Sequence, residues 1–182
     1  VALGFTIIFN STGIVNFAQG EFVMIGAMFG VTFSRLGLPL VLVVLFSTLG
    51  AALVAIAVER VAIRPLRDAP LLIPIFVTIA ASLAFSGSAK LIWGPNAIPM
   101  EPFSGHEPIR LAGAAIRPQD LWIVGMSIVA VTLLQLFFKH TLTGRAMRAA
   151  ASNRSAARLV GINTSTMAMI GFALSGAISG LA

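Results

Sequence analysis

The sequence predicts an all-α fold, a polytopic bundle of transmembrane helices, and three observations predict it. Charge-free apolar runs of spanning length recur at Pro39–Val58, Ala69–Ala89, Leu121–Phe138 and Gly161–Ala182, and about 20 such residues cover the hydrocarbon core of a bilayer as a helix. The chain is 58% hydrophobic and only 10% charged, with a mean hydropathy of +0.98, so its helices are apolar all round instead of along one stripe. No strand-like alternation runs through the apolar segments, which disfavours a barrel.

The chain opens at Val1 inside one apolar run and closes at Ala182 inside another, with no basic leader and cleavage site. The expectation is a single membrane domain over residues 1–182, truncated at both ends. The absence of cysteine removes disulfide and thiolate chemistry from consideration.

Charge placement sets the orientation. Glu59–Asp68 carries Arg60, Arg64 and Arg67 against two acids, and Lys139–Arg158 carries Lys139, Arg145, Arg148, Arg154 and Arg158 with none. Between them, a Pro/Gly-rich connector over 94–119 balances Glu101 and Glu107 against Arg110 and Arg117. Basic loops stay cytoplasmic, so both basic segments face inward and the connector faces outward, and the two intervening spans keep that parity consistent. The net charge of +6 therefore reports topology. Basic patches interleaved with aromatic residues, the footprint of a nucleic-acid binder, are missing.

Taken in order, Val1–Phe9 reads as the end of a helix, followed by the polar stretch NSTGIVNFAQGE. Phe22–Ser34 is too short for a full span and reads as re-entrant or broken. Arg35–Pro39 is a turn, with Pro39 suited to the first turn of the next helix. Pro70 and Pro74 open the third run, which LIWGPN closes with Trp93 at interface depth, and Asp120 and Trp122 begin the span after the connector. Gly26/Gly30 and Gly176/Gly180 have the GxxxG spacing that lets helix backbones approach closely in lipid.

The 139–164 loop is long and rich in helix formers. Asn153 is placed to cap a short second helix over Arg154–Val160, Gly161 to end it in a left-handed conformation, and Asn163 or Thr164 to cap the last span. Such a basic surface helix either rests on anionic lipid or docks on a cytoplasmic protein, with small Ala156 and Ala157 permitting close approach. No catalytic constellation accompanies it. The chain has no GxxxxGK[ST] loop and no GxSxG elbow, and His106 and His140 have no metal-ligand spacing. An intramembrane enzyme would need a nucleophile, base or metal cluster, and none stands out, so no catalytic residue, metal or bound cofactor is expected.

The stretch SAARLVG, residues 155–161, resembles the cytoplasmic loop of ABC importer permeases, whose pattern is Glu-Ala-Ala, three residues, then Gly. NFAQGEFVMIGA, ERVAIRPLR and GRAMRAAASNRSAARLVGIN, in that order, resemble the permeases of branched-chain amino-acid ABC importers over essentially the whole chain. The resemblance implies a multi-pass subunit of a bacterial inner membrane that forms half of a translocation path. It implies a second permease subunit, two cytoplasmic ATPases that bind the ATP, and an extracytoplasmic solute-binding protein as partners. By the same resemblance Arg154, Ser155, Ala156, Ala157, Arg158 and Gly161 form the ATPase-coupling element. Members of the family begin with a further helix and run well beyond this length.

Two positions depart from the family pattern. Ser155 replaces the Glu of the loop motif, and Gln19 stands where many members have His in NFAHGE, which removes a titrating group at that position. Permeases for urea, short amides or simple sugars, and channels or secondary carriers that need no ATPase, stay open as alternatives. The polar stretch itself has two readings. It is an interfacial turn, or it is a broken helix whose Asn16, Gln19 and Glu21 face the solute path, since irregular backbone persists at membrane depth only when buried in protein or lining a cavity.

Overall fold

The computed structural model describes residues 1–66, 69–70, 72–96, 98, 109–111 and 114–182. Arg67, Asp68, Glu101, His106 and Glu107, which enter the charge reading, lie outside the described residues. The chain runs through helices α1 (Ala2–Thr12), α2 (Gln19–Arg35), α3 (Leu40–Val58) and α4 (Leu72–Trp93), then α5 (Pro118–His140), α6 (Leu142–Ser152), α7 (Arg154–Leu159) and α8 (Thr164–Leu181). Among the described residues, four segments are long and apolar enough to cross a membrane: 40–66, α4, α5 and α8. The connector before α5 adds one small feature to the helical fold, an antiparallel pairing of β1 (Ile109–Leu111) with β2 (Ala114–Ile116).

The helices begin and end for local reasons. Pro39 precedes the first residue of α3, and α5 starts three residues earlier than its apolar run, at Pro118, because proline needs no intrahelical acceptor there. Asp120 sits in the first turn of α5 and meets the exposed Arg117 at 3.6 Å. Asn153 Oδ1 accepts from Ala156 N at 2.9 Å to open α7, and Gly161 follows that helix at φ 85°. α3 does not stop where the charges begin. It continues through a π-helical turn at Glu59–Ile63 and a tight turn at Arg64–Leu66, with Glu59 and Ile63 both turned inward.

Asn163 settles the choice of cap for α8, since its Oδ1 accepts from Ser165 N at 3.0 Å and Thr166 N at 3.1 Å. Asn163→Ala is expected to lower stability by about 1 kcal/mol, with Asn163→Ser nearly neutral. The thermal midpoint of the detergent-solubilised protein reads this directly.

α3 and α8 form the densest contact of the bundle; α2 packs on both, α1 lies along α8, and α4 lies on α2. Small residues make this possible. A Cβ built on Gly176 would sit 2.6 Å from Ala51 O and 2.6 Å from Ala55 Cβ, and one on Gly180 would sit 2.7 Å from Ser47 O. Gly26 of α2 closes on the same seam, its built Cβ 2.6 Å from Gly180 Cα, whereas Gly30 faces Ser47 Oγ at an ordinary 3.5 Å. Below the seam, Ile8, Ile14, Phe22, Ala55, Val58, Ile63 and Phe172 make the apolar core. α5 contributes no buried residue and packs chiefly on α6.

The first basic segment meets the start of α8 at one end of the bundle. Glu59, Arg60 and Arg64 line a polar cleft of about 120 Å³ together with Asn163, Ser165, Thr166 and Met169. At the other end, Trp93 Nε1 donates to Thr32 Oγ1 at 2.9 Å, with Phe29 edge-on to the indole.

Candidate functional site

The segment between α1 and α2 is where the membrane chain breaks. Gly13 turns left-handed at φ 71° after α1, its N–H reaching Phe9 O. Thr12 Oγ1 then accepts from Ile14 N at 3.1 Å, and Asn16 Oδ1 accepts from Ala18 N at 3.0 Å to start α2. Two further bonds tie the break to distant elements. Phe17 N donates to Thr78 Oγ1 of α4 at 3.3 Å, and Arg154 Nη1 of α7 donates to Thr12 O at 3.0 Å. Irregular backbone at this depth needs such protein partners because lipid supplies none.

Gln19 is 2% exposed, and both ends of its amide are used. Its Nε2 donates to Ser179 Oγ at 2.8 Å, and its Oε1 accepts from Ser175 Oγ at 2.6 Å. Gly4 lets α1 close over this hub, since a Cβ there would meet the Gln19 amide and sit 2.7 Å from Ser175 Oγ. Asn16 is 1% exposed, and its Nδ2 has no hydrogen-bond partner among the described residues. Leaving a buried amide donor unmet costs about 1–3 kcal/mol, so the hub holds an unused donor.

Glu21 stands apart from that hub. It is half-buried in the first turn of α2, and its Oε1 accepts from Ser82 Oγ of α4 at 2.8 Å. Ser82 lies about 15 Å along α4, whose 22 residues span roughly 33 Å. The carboxylate is therefore near mid-span. Asn16, Gln19 and Glu21 line neither of the two cavities described; the larger, about 320 Å³, lies between α1, α5 and α6.

The loop residues divide by direction. Ala157 is buried, whereas Ser155, Ala156, Arg158 and Gly161 are exposed, and Leu159 and Val160 stand out at 89% and 76%. Arg158 Nε donates to Thr164 Oγ1 at 3.1 Å, bracing α7 against α8. Arg154 points inward, toward α1. Residue types alone gave no sign of that direction, nor of the parts played by Thr78, Ser82, Ser175 and Ser179. One signal was present for the last two: SGAISG, residues 175–180, repeats a Ser-Gly pair at the spacing of one helical face.

A glycine-sealed set of spans, a helix broken and hydrogen-bonded at membrane depth, and a capped surface helix joined to that break define an integral-membrane permease. The model of the family described as "Branched-chain amino acid transport system / permease component" matches residues 1–182, and the chain belongs to that family. Among its relatives is the high-affinity branched-chain amino acid transport system permease protein LivH of Escherichia coli K12, 29% identical over all of this chain and 63% of its own length. The permease protein BraD of Pseudomonas aeruginosa is 27% identical over all of this chain and 64% of its own. A probable LivH of Methanocaldococcus jannaschii is 26% identical, matched over 59% of its length. The chain thus spans less than two thirds of the length of these relatives. No solved structure matches it.

Proposed function

We propose that the chain forms half of the translocation path of an ATP-driven importer of branched-chain amino acids in a bacterial inner membrane. The relatives' names supply the solute class. A second permease subunit completes the path, an extracytoplasmic binding protein delivers the solute, and two cytoplasmic ATPases bind and hydrolyse the ATP. The chain itself is not an enzyme.

The observation that carries the coupling part of this reading is the double attachment of α7. Its outer rim, Leu159 and Val160, is apolar and exposed, and its N-terminal Arg154 grips the carbonyl of Thr12 at the helix break. A subunit docked on that rim acts on the break through Arg154 and on α8 through Arg158. The cytoplasmic assignment of this end follows from its arginines.

Leu159→Asp with Val160→Asp tests it, because substitutions at such exposed positions leave folding within about 0.5 kcal/mol. The double variant is expected to lose capture of the ATPase subunits and, in vesicles, ATP-driven leucine uptake. Leucine uptake that persists with no ATPase subunit present would sink the importer reading in favour of a channel or secondary carrier.

A further inference from the structure

We propose that the cavity between α1, α5 and α6 seats one anionic phospholipid of the cytoplasmic leaflet, its phosphate on Arg148 and an acyl chain between α1 and α5. The inference rests on the cytoplasmic assignment of the arginine-bearing end and is independent of the solute carried.

The first observation is the order of groups along the cavity, whose volume is about 320 Å³. Arg148 lines it from α6, which follows directly on the cytoplasmic end of α5 at His140. Asn10 of α1 and Gln135 of α5 add two amides, and Leu3, Ile7, Leu134 and Phe138 supply apolar walls. From Asn10 to Leu3 the α1 wall rises about 10 Å away from that end. A phospholipid carries the matching order: a phosphate, then ester carbonyls that accept hydrogen bonds, then hydrocarbon. A transmembrane helix does not, since its backbone acceptors are used internally, and seated here it would set apolar side chains against a guanidinium.

The second observation is charge. No acidic residue lines the cavity, and Arg148 forms no ion pair or hydrogen bond among the described residues. Lys139 at the end of α5 and Arg145, one turn before Arg148 on α6, are exposed beside it in sequence. Basic pockets between membrane helices on the cytoplasmic side bind anionic headgroups. A lipid of net negative charge is favoured over phosphatidylcholine, whose own ammonium these three cations repel.

The third is the setting. Helix α6 turns Gly144, Met147 and Ala150 inward and Arg145 and Arg148 outward, the arrangement of a helix lying in the interface plane. Helix α5 contributes no buried residue and packs chiefly on α6, and Asn10 and Gln135 are exposed. The cavity is therefore reached from the membrane plane, beside α5.

The test uses the full-length protein in its complex, in phosphatidylcholine vesicles containing phosphatidylglycerol with a diazirine on one acyl chain. After illumination, peptide mass spectrometry locates the cross-links. They are expected on the walls at Leu3, Ile7, Leu134 or Phe138, and to fall about fivefold with excess unlabelled phosphatidylglycerol but not with excess phosphatidylcholine. Arg148→Gln, at an exposed position where folding is little affected, is expected to lower their yield about fivefold with the complex still assembled. Arg148→Lys, which keeps the charge, is expected to retain most of it.

Walls free of cross-links overturn the proposal, because a further protein segment then fills the cavity. Equal competition by phosphatidylcholine overturns it in favour of bulk lipid without a headgroup site. An unchanged yield in Arg148→Gln likewise overturns it.

Discussion

Gly176→Leu is expected to leave little folded protein. The built Cβ already lies 2.6 Å from Ala51 O, 2.6 Å from Ala55 Cβ and 2.9 Å from Ala52 Cα, and two of those three atoms are backbone that cannot step aside. Overpacking a core costs about 1–3 kcal/mol when side chains can shift, and α3 would have to move bodily here, so the cost is expected at or above the top of that range. Gly176→Ala should fall between wild type and Leu. Gly125→Leu is the control, since Gly125 lies on α5 with nothing within 4 Å of its built Cβ. Monodispersity and thermal midpoint in detergent separate the three variants. A folded Gly176→Leu protein with an unchanged midpoint would mean that α3 and α8 do not meet at this seam.

The second large effect is at Gln19. Gln19→Leu removes both bonds of the hub and leaves Ser175 and Ser179, 0% and 2% exposed, without that partner. Interhelical hydrogen bonds in membranes average about 0.6 kcal/mol and reach about 1.7. Helical serines also fall back on the carbonyl one turn earlier. Together these place the loss at about 1–3 kcal/mol. The informative comparison is a cycle with Ser175→Ala and Ser179→Ala. Removing every member of a buried polar set costs less than orphaning some of them, so the triple variant should regain part of the stability lost in Gln19→Leu. Strict additivity would show that the amide and the two hydroxyls are energetically independent.

Much of the fold is legible in the sequence, because membrane spans obey one-dimensional rules. Pro39–Val58 differs from α3 by one residue at its start, and Phe22–Ser34 is contained in the short α2 that begins near mid-span. Asn153 and Gly161 stand where a cap and a left-handed stop are required. Errors of a few residues occur at the ends of α4, α5 and α8, where helices extend past or stop short of the apolar run. The run measures lipid, while the helix end is set by a proline or a capping side chain.

The site is less legible. Asn16, Gln19 and Glu21 are adjacent in sequence and similar in polarity, yet the fold gives them three environments: an unmet buried donor, a saturated amide and a half-open carboxylate. Which one each receives depends on α4 and α8, more than sixty residues away, and no local pattern encodes it. Arg154 makes the same point. A basic residue on a surface helix is expected to face water or headgroups, and here it reaches into the membrane domain because Thr12 O lies at the end of α1 within its reach.

The glycine seam has a mechanical consequence. Where α2, α3 and α8 touch through backbone, no side-chain rotation can lengthen or shorten the contact, so these three helices behave as a single stiff body. Helix α4 lies outside it, held to α2 by side-chain contacts such as Ser82 to Glu21 and Trp93 to Thr32, and the 13–18 segment joins α1 to α2. The degrees of freedom of the domain are therefore concentrated at its periphery. Arg154 ties α7 to the joint between α1 and α2 at Thr12 O.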